Sequence, residues 1–255
     1  MDCKVFNNRL SFTAGISPEI SREFRVINPA EVTEYLQKNY STVCDFEDNK
    51  VIAGGVLRAL NILKETAERF RLPFLTTTPP KLKVFKPNEL VKFDDVNFGF
   101  CIGEKEKVIR KHPEYEPYSV FIKNTKDNLN EFNSMVEKWY NKRILSSDHF
   151  LAPFFHELFH TIHLNLISSK NTKYGIQEII SLQNKGFDFQ DSYVIKEKIG
   201  TYASKSRLEL FSEVWSKIIT NSLNDNITRV VSNPLDNLKD FPKFIKEFVE
   251  TEISR

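Results

Sequence analysis

Two histidines and a glutamate stand close together in an otherwise apolar stretch, FFHELFH, at positions 154–160. On a helix, residues four apart lie on one face, so His156 and His160 can direct their imidazoles at one point while Glu157 borders it. Two neutral imidazoles are typical ligands of Zn²⁺, and the adjacent carboxylate can take a proton from a metal-bound water. This HExxH spacing predicts a catalytic zinc site.

The residues around this pattern bear on the alternative that the histidines simply belong to a metal-free core helix. Most flanking positions are apolar: Leu151, Phe154, Phe155, Leu158, Phe159, Ile162 and Leu166. Burying two histidines and a glutamate among such side chains is costly unless partners satisfy their polar atoms. A bound metal would satisfy them, so the composition of the helix favours zinc.

Two histidines leave a tetrahedral ion in need of a third protein ligand, with water in the fourth position. His163 is nearest, but groups at i, i+4 and i+7 are spread along about 10 Å of helix axis, so we expect a structural or substrate-proximal role for it. Glu209 and Glu213, one turn apart on a largely apolar helix, are better candidates. The alternative is that 206–209, SRLE, forms a capping box that uses Glu209 at the helix terminus.

The segments HELFH and YASKSRLELFSE (202–213) together resemble the zinc site of gluzincin metallopeptidases of the anthrax lethal factor type, which also occur among phage and effector proteins. The resemblance implies that Tyr202 is the catalytic tyrosine and Glu209 the third zinc ligand. It also implies that Glu213 supports the site from behind by orienting a histidine ligand.

The resemblance covers about residues 147–220 and is not perfect. The chain differs from the usual pattern at four positions, where the family has asparagine, an aromatic residue, alanine and glycine: Ser206, Leu210, Ser212 and Phe159. None of these differences removes a predicted ligand, so they indicate a distant relative.

The resemblance also implies a mechanism. Glu157 would deprotonate a zinc-polarised water that attacks a peptide carbonyl, and zinc and Tyr202 would stabilise the oxyanion. Without the resemblance, Tyr202 could be an ordinary half-buried tyrosine and Glu213 could form a surface salt bridge. By analogy with other zincins, the substrate would add a strand along residues 97–103 at the rim of a small sheet.

Periodicity along the chain predicts helices, then strands, then helices. Predicted helices begin at the cap Asn28-Pro29-Ala30-Glu31 and continue at 48–72, 127–143, 147–168, 174–184, 206–221 and 235–253. Predicted strands are 81–85, 97–103 and 118–124. We therefore expect an α+β, zincin-like fold with a small mixed sheet, an HExxH helix and a mainly helical C-terminal half. Residues 1–75 would form a helical N-terminal region packed on a metallopeptidase domain at 76–255.

Composition excludes some functional classes. With 36 basic and 34 acidic residues, a formal charge of +2 predicts neither nucleic acid nor an anionic membrane as the main partner. We expect a soluble protein, cytoplasmic or delivered by a leaderless route, because neither a signal-peptide pattern nor an 18-residue apolar segment is present. The cysteines Cys3, Cys44 and Cys101 are widely spaced and predict no disulfide framework.

The leading hypothesis is a zinc-dependent endopeptidase that acts on a protein or peptide substrate, as a toxin or effector. One alternative is a non-catalytic, zinc-stabilised binding module or degenerate peptidase. Glu157 argues against it, because a structural zinc site needs no general base. A second alternative is an intracellular regulatory peptidase, which sequence patterns do not separate from a toxin. Oligomeric state is left open.

Overall fold

The computed structural model describes residues 16, 18–70, 72–85, 98–102, 116–169, 195–196 and 199–223. Within them lie six α-helices: α1 (Pro18–Val26), α2 (Pro29–Tyr40), α3 (Lys50–Phe70), α4 (Leu129–Asn141), α5 (Ala152–Ser168) and α6 (Arg207–Leu223). The same residues contain four strands: β1 (Val43–Asp45), β2 (Lys81–Phe85), β3 (Gly99–Cys101) and β4 (Val120–Lys123). A short 3-10 helix, Pro73–Thr76, follows α3. The prediction of a fold that combines helices with a small mixed sheet is confirmed.

The four strands form one sheet in the order β1-β2-β4-β3. β1 is parallel to β2, β2 is parallel to β4, and β3 runs antiparallel to β4 with Phe100 opposite Phe121. The side chains of Leu82, Val84, Val120 and Ile122 are buried and join the main core. Both central strands are thus covered by protein, as expected for parallel pairing.

The predicted strands at 81–85, 97–103 and 118–124 correspond to β2, β3 and β4, although the last two are shorter than predicted. β1 was not predicted, because residues 1–75 were expected to form a helical region. Predicted helices 174–184 and 235–253 lie outside the described residues.

The predicted cap of α2 is confirmed with one difference. The Ala30 N–H donates to Oδ1 of Asn28 at 3.1 Å, and Pro29 is the first residue of the helix. Glu31 accepts a hydrogen bond from the side-chain Nδ2 of Asn28, whereas a capping box uses the backbone N–H of that residue.

Two consecutive glycines near the start of α3 allow neighbouring helices to approach closely. A Cβ atom on Gly54 would lie 2.4 Å from Cδ1 of Ile27 and 2.7 Å from the ring of Phe24. A Cβ atom on Gly55 would lie 2.2 Å from the ring of Phe154, near the start of α5. The glycines weaken α3 by roughly 1 kcal/mol each relative to alanine. The close packing that they permit fixes α5 against α3.

α5 and α6 pack along their length through stacked and edge-on aromatic side chains. The rings of Phe159 and Trp215 are stacked with centroids 5.6 Å apart, and Trp215 also meets Phe74 edge-on at 5.3 Å. Aromatic side chains thus make up this part of the contact surface. No helix among the described ranges combines the length and the hydropathy needed to span a bilayer.

Gly55→Ala tests whether α5 is seated on α3 as described. Alanine normally stabilises a helix relative to glycine, but here the added methyl group meets the buried ring of Phe154, so we expect a loss of about 1–3 kcal/mol. Urea unfolding would measure it. In a Phe154→Leu background, which removes the outer ring atoms, the same change should cost little or become stabilising. A Gly55→Ala variant at least as stable as the parent protein would contradict this packing.

Candidate metal centre

The two histidines of the HELFH segment point their Nε2 atoms at a common position. Both are buried on α5, and their Nε2 atoms are 3.0 Å apart. The rings are nearly perpendicular, at 89°, with centroids 4.6 Å apart. Histidines one helical turn apart adopt such an arrangement when the lone pairs of both Nε2 atoms point at the same position.

α6 brings a carboxylate to the same position. Oε2 of Glu209 lies 3.0 Å from Nε2 of His156 and 3.4 Å from Nε2 of His160. Ligands of a tetrahedral zinc ion at bond lengths near 2.0–2.1 Å are separated by about 3.3 Å, so the three spacings fit a single ion. His156, His160 and Glu209 form a group, found among the described residues, that could hold a metal.

Of the two alternatives for Glu209, the capping box is observed only in part, because backbone and side chain have different partners. Its N–H donates to Oγ of Ser206 at 3.3 Å, so the serine does cap α6. The carboxylate of Glu209 instead faces the two histidines. His163 is not part of the group that could hold a metal. Its buried ring stacks on Phe211 with the ring centroids 4.2 Å apart, so His163 has a structural role.

Glu213 lies behind His156. Its Oε1 is 2.7 Å from Nδ1 of His156, the distance of a charge-assisted hydrogen bond. Its Oε2 accepts the N–H of Ser146 at 2.6 Å, and the hydroxyl of Ser146 donates to the Glu213 carbonyl at 2.8 Å. Glu213 is only 1% exposed, so it does not form a surface salt bridge.

A serine takes the corresponding place behind His160. Oγ of Ser212 lies 3.0 Å from Nδ1 of His160, and Ser212 is 0% exposed. In the sequence, this residue stands out only as a difference from the family pattern. Its position three residues after Glu209, on the same helix face, is the signal that could have identified it.

The surroundings shift the pKa values of the three residues in different directions. Burial alone lowers the pKa of His156, but hydrogen bonds to Glu209 and Glu213 outweigh it and hold the pKa well above the usual value. Burial prevails at His160 and lowers its pKa. At Glu209 burial opposes ionisation, but hydrogen bonds to both histidines prevail and lower its pKa. The carboxylate therefore stays charged, as a metal ligand must.

Glu157 is buried next to this group and has a very different pKa. It is 4% exposed, and burial raises the pKa of its carboxyl to about 8; His156 opposes this rise, while Glu209 and Glu213 add to it. A carboxyl group that titrates near neutral pH is suited to accept and return a proton.

Gly99 on β3 provides the space that Glu157 occupies. A Cβ atom at this position would lie 2.9 Å from Cδ of Glu157 and 2.8 Å from the carbonyl oxygen of Phe121. Any side chain at 99 would displace the carboxyl group. The sheet edge therefore passes directly over Glu157.

A pocket opens between β3, α4 and α5, with Glu157 and His156 in its wall. Apolar residues make up much of the remaining lining: Phe98, Trp139, Ile144, Leu145 and Pro153. Tyr202 lines the same pocket, with its ring edge-on to His156 at 5.9 Å between centroids. The ammonium group of Lys205 lies 3.9 Å from the centre of the Tyr202 ring, a cation–π contact that helps to hold it.

Comparisons with protein-family models, with curated proteins and with solved structures found no match. The interpretation of the centre therefore depends on its own geometry.

His149 determines where α5 begins. The N-cap residue, Leu151, makes no side-chain cap, but its N–H donates to Nδ1 of His149 at 3.1 Å. The N–H of Ala152 donates to the carbonyl of His149 at 2.8 Å. Burial, together with the charge of Arg58, lowers the pKa of the imidazole to about 3. The ring is therefore neutral and accepts a hydrogen bond at the helix terminus.

This low pKa predicts that His149 makes stability depend on pH. An unfolded chain protonates the residue near pH 6.5, whereas the folded protein does so only near pH 3. The neutral ring contributes fully to the free energy of unfolding above pH 6.5. This contribution is lost as the pH falls, by up to about 1.4 kcal/mol per pH unit. His149→Asn keeps an acceptor for Leu151 but does not titrate. In chelator, the free energy of unfolding of the variant should fall less steeply than that of the parent between pH 6.5 and 4. Parallel curves for the two proteins would contradict the assignment.

Proposed function

We propose that the protein is a zinc-dependent endopeptidase with a zincin-like, gluzincin-type centre. The observation that carries the proposal is the convergence of His156, His160 and Glu209, from two helices distant in sequence, at spacings that suit one ion. Among the described residues the group has three ligands, the number typical of catalytic zinc sites, whereas structural sites use four.

The residues around the centre have the chemistry that peptide hydrolysis requires. A Zn²⁺ ion bound there supplies Lewis acidity, which makes water more nucleophilic and favours negative charge on a carbonyl oxygen. Glu157, with its raised pKa, takes the proton from the attacking water and gives it to the leaving amine. Tyr202 lies in the same pocket and donates a hydrogen bond to the oxygen on which charge develops.

The sheet edge and the pocket support a protein or peptide substrate. Within the described residues β3 pairs on one side only, with β4, so an extended peptide can add along its other side above Glu157. The small pocket lined by Gly99 and Glu157 places the general base next to this edge. A zinc-stabilised binding module is the weaker alternative, because a structural zinc site has no use for a buried carboxyl next to its ligands.

Measuring zinc binding in the parent and in variants tests which residues bind the metal. The purified protein should hold about one zinc per chain, and Glu209→Gln should weaken binding more than the roughly 10–100-fold typical of residues behind a ligand. Elemental analysis and titration against a chelator would measure both. Glu34→Gln, which changes an exposed carboxylate on α2, is the matched control and should bind zinc as the parent does. Full affinity in Glu209→Gln would assign the third ligand to another residue.

Loss of the general base tests catalysis separately from metal binding. Glu157→Gln should retain zinc and the fold but lower the rate of peptide hydrolysis by about 10²–10⁴. New protein N-termini, compared between cells that express the parent and the variant, would identify the substrate and thereby distinguish an effector from a regulator of the producing cell. Equal cleavage by both proteins would rule out the proposed role of Glu157.

A further inference from the structure

The two histidines of the metal centre are supported from behind by groups of different charge. Nδ1 of His156 faces the carboxylate of Glu213 at 2.7 Å, whereas Nδ1 of His160 faces the neutral hydroxyl of Ser212 at 3.0 Å. Both supporting residues are buried and adjacent on α6. The two Nε2 atoms, by contrast, face the same Glu209 oxygen.

We propose that Ser212 is a positioning residue that sets the tautomer and orientation of His160 for metal binding; this inference rests on the proposed zinc site. A metal takes the lone pair of Nε2, so the ring hydrogen of a neutral ligand must reside on Nδ1. In the buried surroundings of His160, that N–H requires an acceptor. Ser212 Oγ is the acceptor at hydrogen-bond distance.

Serine suits this role because it can accept and donate at once. A hydroxyl oxygen has two lone pairs, so Oγ can accept from Nδ1–H of His160 while its own hydrogen remains available to another acceptor. Alanine, the usual residue of the family pattern, offers no acceptor. The hydroxyl also adds no charge to a site that already contains three buried or half-buried carboxylates, Glu157, Glu209 and Glu213.

Ser212→Ala and Ser216→Ala form a matched pair of test variants. Both remove a buried hydroxyl from the inner part of α6, one turn apart, and alanine maintains the helix. The structure places Ser212, but not Ser216, against a histidine of the metal group. Each variant is compared with the parent both in chelator and with zinc, so a difference that appears only with zinc belongs to the metal centre.

Zinc affinity, measured by competition with a chelator, is the first readout. We expect Ser212→Ala to bind zinc about 10–100-fold more weakly than the parent, and Ser216→Ala to bind within about twofold of it. If the parent binds zinc and the two variants do not differ, this inference is wrong and the proposed function stands. If the parent binds no zinc, both are wrong.

Nitrogen NMR of labelled histidine is a second readout, and its measurement on the zinc-loaded parent protein needs no variant to fold. His160 should carry its hydrogen on Nδ1, and the Nδ1 resonance should move in Ser212→Ala but not in Ser216→Ala. A resonance that is unchanged in Ser212→Ala would overturn the assignment, as would a hydrogen on Nε2 of zinc-loaded His160.

Discussion

The constraint on which the structure depends is the burial of three polar side chains within one apolar helix. His156, Glu157 and His160 are each almost inaccessible to solvent, in a helix whose other inner residues are mostly aromatic or aliphatic. Leaving their polar atoms unpaired would cost several times the net worth of an ordinary hydrogen bond. α6 supplies partners for both imidazoles, and this explains why the two helices must pack in one register.

The remaining elements hold α5 where α6 can reach it. α3 approaches it at Gly55, β3 crosses it at Gly99, and His149 satisfies the N–H groups at its start. Two of these three contacts require the absence of a side chain, so the position of the helix is set by backbone proximity as much as by hydrophobic packing. The buried carboxyl of Glu157 lies beneath the sheet edge for the same reason.

Sequence patterns predicted the elements with clear boundaries well and missed β1. β2 coincides with its prediction because KLKVF combines β-branched and aromatic residues with clear boundaries. β1 has three residues, of which only Cys44 is buried, so its sequence contains too little alternation to be recognised. Its pairing with β2, a long-range interaction, makes it a strand.

Sequence spacing likewise predicted the candidate metal centre only in part. The spacing of HELFH was sufficient to place two imidazoles on one face, but Glu209 and Glu213 are equivalent by periodicity. Family resemblance, rather than spacing, distinguished the residue that faces both Nε2 atoms from the one behind His156. The spacing of Ser212 from Glu209 places both on one helix face, but its partner, His160, lies on another helix and cannot be assigned from that spacing.

A single helix face carries Glu209, Ser212 and Glu213, at positions i, i+3 and i+4. Rotating α6 by one residue, about 100° about its axis, would therefore withdraw the facing carboxylate and both rear supports together. The centre has no arrangement in which one of the three is lost by such a movement while the others remain. Its assembly is accordingly an all-or-none property of how the two helices meet.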